Sequence, residues 1–103
     1  MRVYDIEWDV DLDEIASMFI YEFLPTECAD LLNISERQWD KMYILEKRMF
    51  VRQYYAKHPD QLYELLCLPD EDNIPKMDVD EAEDFLNSEY GYNVKTFSIG
   101  YDN

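Results

Sequence analysis

Charge is laid out along these 103 residues in three blocks. Residues 1–36 hold ten acids and one base, residues 37–58 two acids and six bases, and residues 59–103 twelve acids and two bases. An unpaired carboxylate is too costly to bury, so both flanks must keep their acids at the surface, and only the residues between those acids can enter a core. The order suits a basic central helix clasped by two acidic flanks. Local cancellation leaves a surplus on the flanks, which faces water or a cationic partner. A core is nonetheless within reach, since 48% of the chain is hydrophobic and it contains nine Tyr, five Phe and two Trp. That excludes a disordered acidic tail, which could not offset the entropy of ordering its chain. A chain of this length folds as one modest domain, 1–103, removing roughly two-thirds of its unfolded surface from water.

Periodicity assigns the elements. Over residues 2–10, Tyr4, Ile6, Trp8 and Val10 alternate with Asp5, Glu7 and Asp9, the pattern of a strand with one apolar and one acidic face. Asp11 with Glu14 is placed as a capping box for a helix to about Glu22. Pro25 restarts the chain into a short helix over 26–32. Ser35 with Gln38 caps a long helix to about Lys57, with an apolar stripe of Trp39, Met42, Tyr43, Met49, Phe50 and Tyr54 and with Leu45 at its edge. Pro59 opens a helix through Leu66. The stretch 68–75, bounded by Leu68-Pro69 and Ile74-Pro75, cannot be helical throughout. Asp78 with Glu81 caps a helix over 79–90 that Gly91 closes, and 93–99 reads as a strand carrying Val94, Phe97 and Ile99. The expected fold is α+β: a two-stranded antiparallel sheet from the chain ends, packed against four or five helices including the long central one. An exposed edge strand offers a homodimer with a continuous sheet.

Several chemistries are excluded on these residues. With two Gly in the chain, phosphate-cradling loops are absent. No apolar run approaches the roughly 20 residues of a membrane span, and the acidic, strand-like start is unlike a signal peptide. Cys28 and Cys67 have neither metal nor redox spacing and sit among apolar neighbours, so both are expected buried and reduced, with a disulfide as the alternative. The expected compartment is the cytoplasm, that of the host if a phage encodes the chain. Asp9, Asp11 and Asp13 hint at a calcium loop, but Glu14 and Ile20 stand where Gly and a bidentate Glu are required. The stretch from Asp70 fails likewise at Ile74 and Pro75. His58, the one histidine, suits a helix C-terminus. Acid pairs such as Asp80 and Asp84 are too abundant to mark general acid–base chemistry, which needs two carboxylates in divergent environments. No catalytic residue, metal site or cofactor is therefore assigned.

Two resemblances add to this reading. Residues 3–9 (VYDIEWD), with Leu68-Pro69, Glu71, Ile74-Pro75, Glu81, Phe85-Leu86, Glu89-Tyr90-Gly91-Tyr92, Val94-Lys95 and Phe97, resemble small acidic uncharacterised proteins of gut-type bacteria, their phages and mobile elements. The resemblance implies a strand, a proline-flanked connector, an acidic helix and a strand, and carries no catalytic residue. In the middle, Cys28-Ala29, Leu32-Asn33-Ile34-Ser35, Trp39 and Met42 are similar to a helix-turn-helix, in which Arg37, Gln38 and Lys41 would face DNA. Glu36 and Asp40 oppose phosphate approach there, and the second helix is about twice the usual length.

The acidic surface is the remaining candidate. Carboxylates two apart on a strand repeat at about 6.6 Å, close to every second phosphate of a DNA strand, which advances roughly 3.4 Å per nucleotide. The expected function is a non-catalytic acidic interaction protein, in its sharpest form a phage or mobile-element inhibitor that mimics DNA to occupy the basic surface of a host nucleic-acid-binding defence enzyme. Asp5, Glu7, Asp9, Asp80, Glu83 and Asp84 would make the contacts. The alternatives are a helix-turn-helix regulator and an assembly or adaptor protein with mainly apolar contacts.

Overall fold

The computed structural model describes residues 1–100. They form an α+β fold of six helices and a three-stranded antiparallel sheet: β1 (Arg2–Asp9), α1 (Leu12–Tyr21), α2 (Pro25–Leu32), α3 (Glu36–Lys41), α4 (Ile44–Lys57), α5 (Pro59–Leu65), β2 (Asp72–Asn73), α6 (Val79–Tyr90) and β3 (Asn93–Gly100). The class is as the periodicity predicts, but the sheet has a third strand and the helices number six. The chain divides into two compact units, one made of Met1–Val10 with the segment from Asp60 onward, the other of Asp11–Pro59.

In the first unit the sheet runs β2-β1-β3, so the two chain ends pair as expected, with β1 central. The two-residue β2 lies inside the proline-bounded connector and pairs Arg2 with Asn73 and Val3 with Asp72. It has no apolar alternation, which is why periodicity passes over it. Beyond Val3 that edge of β1 is closed by other groups. The Ile6 N–H donates to the Asp70 carbonyl at 3.0 Å, and the Trp8 N–H donates to the Tyr63 hydroxyl at 3.1 Å. α6 covers one side of the sheet: Ala82 and Leu86 join Val3, Ile6, Trp8, Leu68, Ile74 and Val94 in a single buried cluster. Its caps follow the predicted chemistry. Asp78 accepts from the Glu81 N–H at 2.9 Å, and Gly91 ends the helix at φ 78°, where a residue with a Cβ would be strained.

β1 departs from plain alternation. Val3, Ile6 and Trp8 are buried, whereas Tyr4 is only half-buried. The inward parity changes at Asp5, which has φ 51° in the left-handed region, and the pairing with β3 shifts register between Tyr4 and Glu7. One additional residue there lets Val3 face inward together with Ile6 and Trp8, the action of a β-bulge.

The second unit is helical and built around Phe19, whose ring meets Phe23, Trp39 and Tyr55 edge-on at centroid distances of 5.0, 6.4 and 5.7 Å. Ile15, Ala16, Cys28, Ala29, Leu32 and Val51 are buried in the same unit. The long helix over 35–57 is broken. Met42 and Tyr43 are extended, at ψ 141° and 164°, and α4 restarts with Glu46 accepting from the Tyr43 N–H. Helical geometry gives the reason. In one continuous helix, at about 100° per residue, Trp39 and Tyr55 would lie roughly 160° apart on opposite faces; the break lets both reach Phe19. It also replaces the expected stripe, since Val51 and Tyr55 are the buried residues of α4 while Tyr43 is 79% exposed and Met49 58%.

Candidate functional site

The carboxylates are distributed unevenly between the units. Residues 1–10 and 60–103 together carry fifteen acids and three bases, net −12, and residues 11–59 nine acids and six bases, net −3. Pairing of the chain ends therefore joins the C-terminal acidic flank to the three acids of residues 1–10 in one unit, while the other seven acids of the N-terminal flank fall with the basic block in the other.

All six predicted contact acids lie in the acidic unit, but on different sides of it. Glu7 and Asp9 are exposed and alternate with the buried Ile6 and Trp8, so they project from the sheet face opposite α6. Their partners across the ladder, Thr96 and Asn93, are uncharged. Asp5 is exposed but sits at the bulge, which breaks the even spacing from Asp5 to Glu7. Asp80, Glu83 and Asp84 are exposed residues of α6. Spacings of three and four place them on one helix face, opposite the Ala82 and Leu86 that pack on the sheet. A single array joining strand and helix is thus replaced by two, back to back: Glu7 with Asp9, and Asp80 with Glu83 and Asp84. On α6 the carboxylates of Asp80 and Asp84 are one turn apart, about 6 Å along the axis.

The connector adds acids that strand and helix periodicity do not single out. Glu71 forms a two-point pair with Arg2, whose Nε and Nη2 donate at 2.9 and 3.1 Å, and this guanidinium holds the Glu71 carboxyl below its ordinary range. Arg2 also stacks on the Tyr4 ring, 4.7 Å from its centroid. Asp72 points to the α6 side and accepts from the Tyr90 hydroxyl at 2.7 Å. Burial, and then this bond, push the Tyr90 phenol up to about 12.

In the helical unit a tight turn through Asn33 joins α2 to α3. Asn33 takes the left-handed conformation, φ 57°, and the Ile34 N–H reaches back to the Ala29 carbonyl. The second helix is not too long, as the sequence suggests, but only six residues. Arg37 and Lys41 are exposed on it, four residues apart. Gln38 is engaged in the cap, exchanging hydrogen bonds with Ser35 at 2.9 and 3.1 Å. Several bases of α4 are occupied within the same unit: Lys47 lies 5.0 Å from the Trp39 ring centroid, Arg48 donates to Ser17, and Arg52 pairs with Asp13 at 3.3 Å.

The thiols differ from expectation. Cys28 is buried, donates to the Phe19 carbonyl, and burial raises its thiol above the ordinary range. Cys67 is exposed and free. It occupies the left-handed position after α5, φ 56°, with the Leu68 N–H bonded to the Tyr63 carbonyl at 2.8 Å, and that cap turns its side chain outward. His58 closes α4 with its N–H on the Tyr54 carbonyl and its imidazole against the Tyr54 ring, centroids 4.7 Å apart. Among the described residues no three His, Cys, Asp or Glu side chains converge as metal ligands, and no helix is long and apolar enough to cross a membrane. No protein-family model, no curated protein and no solved structure matches the chain.

Proposed function

We propose that this chain is a non-catalytic interaction protein that uses ordered carboxylates to occupy a cationic surface of a partner. The observation that carries the reading is the net charge of −12 gathered on one compact unit by pairing of the chain ends. A field of this kind accelerates capture of a basic partner and makes it salt-dependent. α6 is the better-formed of the two arrays, because Asp80, Glu83 and Asp84 share one face of a helix capped at both ends. In the sharper version the partner is a nucleic-acid-binding defence enzyme of a bacterial host, and α6 stands in for a short run of phosphates in its groove. Glu7 and Asp9 would then meet the opposite wall of that groove.

The test is capture from host lysate by the immobilised full chain, eluted with NaCl from 50 to 500 mM. It is repeated with Asp80→Lys/Asp84→Lys and with Glu7→Lys/Asp9→Lys. Partner release below 500 mM, loss of capture in the first variant and displacement by excess duplex DNA are the expected results. A partner held through 500 mM salt and indifferent to both reversals overturns the electrostatic reading and favours apolar docking.

One observation favours a second reading. The connection between α2 and α3, residues 33–35 with Asn33 left-handed, has the three-residue length of a helix-turn-helix turn, with Arg37 and Lys41 exposed beyond it. A mobility-shift assay at low salt separates the two, since direct duplex binding lost in Arg37→Glu/Lys41→Glu supports the regulator.

A further inference from the structure

We infer that the outward face of α4 is a self-association surface, on which two copies of this chain pair antiparallel about a twofold axis. α4 is apolar on two faces. Val51 and Tyr55 are buried within the helical unit, whereas Leu45, Met49 and Ala56, with the stems of Arg52 and Gln53, form a second stripe at helical spacing. Leu45 is 75% exposed and Met49 58%. Beside the C-terminal half of this stripe is an open groove of about 340 Å³, lined by Leu12, Met49, Arg52, Gln53 and Ala56.

The stripe fits a copy of itself. It is balanced about a point between Phe50 and Val51: Leu45 lies as far to one side as Ala56 to the other, and Met49 as far as Arg52. In an antiparallel pair centred there, the second copy's Leu45 meets Ala56, the smallest side chain of the stripe, and enters the groove around it. The symmetry repeats this contact at the other end, as a self-complementary interface requires. The charges agree with the sizes. Glu46 and Lys57 flank the same side of the stripe, and the pairing brings Glu46 of each copy to within about 3 Å, along the axis, of Lys57 of the other. At the centre of the seam the same pairing sets the two copies' Arg52 side chains about 4.5 Å apart along the axis, a repulsion that Asp13, paired with Arg52 at 3.3 Å in each copy, offsets. Association here joins units of net −3, whereas association through the other unit joins −12 to −12. Fourteen residues make a helix about 21 Å long. A seam of that length buries on the order of 1,000 Å² in total, which is the range of weak, reversible interfaces.

The experiment is sedimentation equilibrium of the full chain from about 10 µM to about 1 mM in 150 mM NaCl, with far-UV circular dichroism of each variant. A monomer–dimer equilibrium is expected. Leu45→Glu, at an exposed position that leaves the fold intact, should weaken it at least tenfold. Lys57→Glu should weaken it several-fold, and more than Lys57→Gln does. A monomer at every concentration overturns the inference. So does a dimer that survives Leu45→Glu, such as one lost instead on Thr96→Pro at the β3 edge, or a Lys57→Glu variant that dimerises as tightly as Lys57→Gln.

Discussion

Asp5 tests the central feature of the sheet, because the bulge and a regular strand give opposite signs for the same substitution. Asp5 is exposed with φ 51°. A left-handed residue with a Cβ costs roughly 1–2 kcal/mol, less for Asp and Asn, and most for a β-branched side chain. Asp5→Asn keeps a tolerant residue and should leave stability within about 0.5 kcal/mol. Asp5→Gly removes the strain but adds freedom to the unfolded chain, for a net change between about 0 and +1 kcal/mol. Asp5→Val should lose about 1–2 kcal/mol. Were β1 a regular strand with Asp5 on its outer face, Val would be the better residue by a few tenths of a kcal/mol. Urea unfolding in a Trp39→Phe background reads the acidic unit alone, since Trp8 is then the one tryptophan and is buried in that core. With a slope near 1 kcal/mol/M or somewhat above, the Val variant should lower the midpoint by about 1 M without changing the slope. A Val variant as stable as the parent, or more so, refutes the bulge and restores an even Asp5–Glu7–Asp9 row. Asp5→Asn has a second use: it removes one charge from the strand without disturbing the fold, so any loss of partner capture is electrostatic.

Three further outcomes follow from the same contacts. Burial pushes the Tyr55 phenol up to about 12 from an ordinary value near 10, so the folded state favours the protonated form. Its contribution, up to about 3 kcal/mol, is fully present below pH 10 and is lost as pH rises from about 10 to 12, and Tyr55→Phe should flatten the alkaline limb of a thermal-melt series. Asp78→Ala removes the cap of α6 and should cost about 1 kcal/mol, with Asp78→Ser restoring most of it in the same urea titration. Raising NaCl from 50 to 500 mM should stabilise the acidic unit by on the order of 1 kcal/mol, because salt screens the repulsion within a −12 surface, and should change the helical unit less.

The sequence carries the outline of this fold wherever one local signal decides the element. The Asp78 cap, the two-residue spacing of Ile6 and Trp8, the prolines at 25 and 59, and Gly91 each act within a turn or a strand, and the structure places an element boundary or face at each. What stays illegible depends on contacts distant in the chain. The break at Met42–Tyr43 exists so that Trp39 and Tyr55 can share Phe19, a residue twenty positions upstream of Trp39. Neither Met42 nor Tyr43 is a helix breaker, and within residues 35–57 a single helix satisfies the pattern. β2 forms because β1 passes beside it, not because Asp72 and Asn73 favour a strand. The bulge is visible only as a conflict: Val3 and Tyr4 cannot both be inward in a regular strand, and the burial of Val3 decides it. The site follows the same rule. The acids to examine were legible from charge alone, but that Asp80, Glu83 and Asp84 face away from Glu7 and Asp9 depends on which side of the sheet α6 covers.

On the proposed reading, that opposition narrows how a cationic partner would engage the acidic unit. A flat basic surface reaches one array at a time, and α6 offers it three carboxylates within about one helical turn, held by a helix whose buried face is fixed by Ala82 and Leu86. The sheet offers two, set among Thr96 and Asn93, with the Arg2 guanidinium on the Tyr4 ring. Only a partner with a cleft, gripping the unit from both sides, gains from all five. The two cases separate by additivity. For a flat partner, reversal on α6 abolishes binding and reversal on β1 changes mainly the long-range association rate. For a cleft, each reversal removes part of the affinity and the losses add, because the arrays are on opposite faces and share no neighbours. A duplex-binding groove is a cleft of this second kind, so the DNA-mimic form of the proposal requires additive losses from both faces, whereas an open basic patch requires only α6.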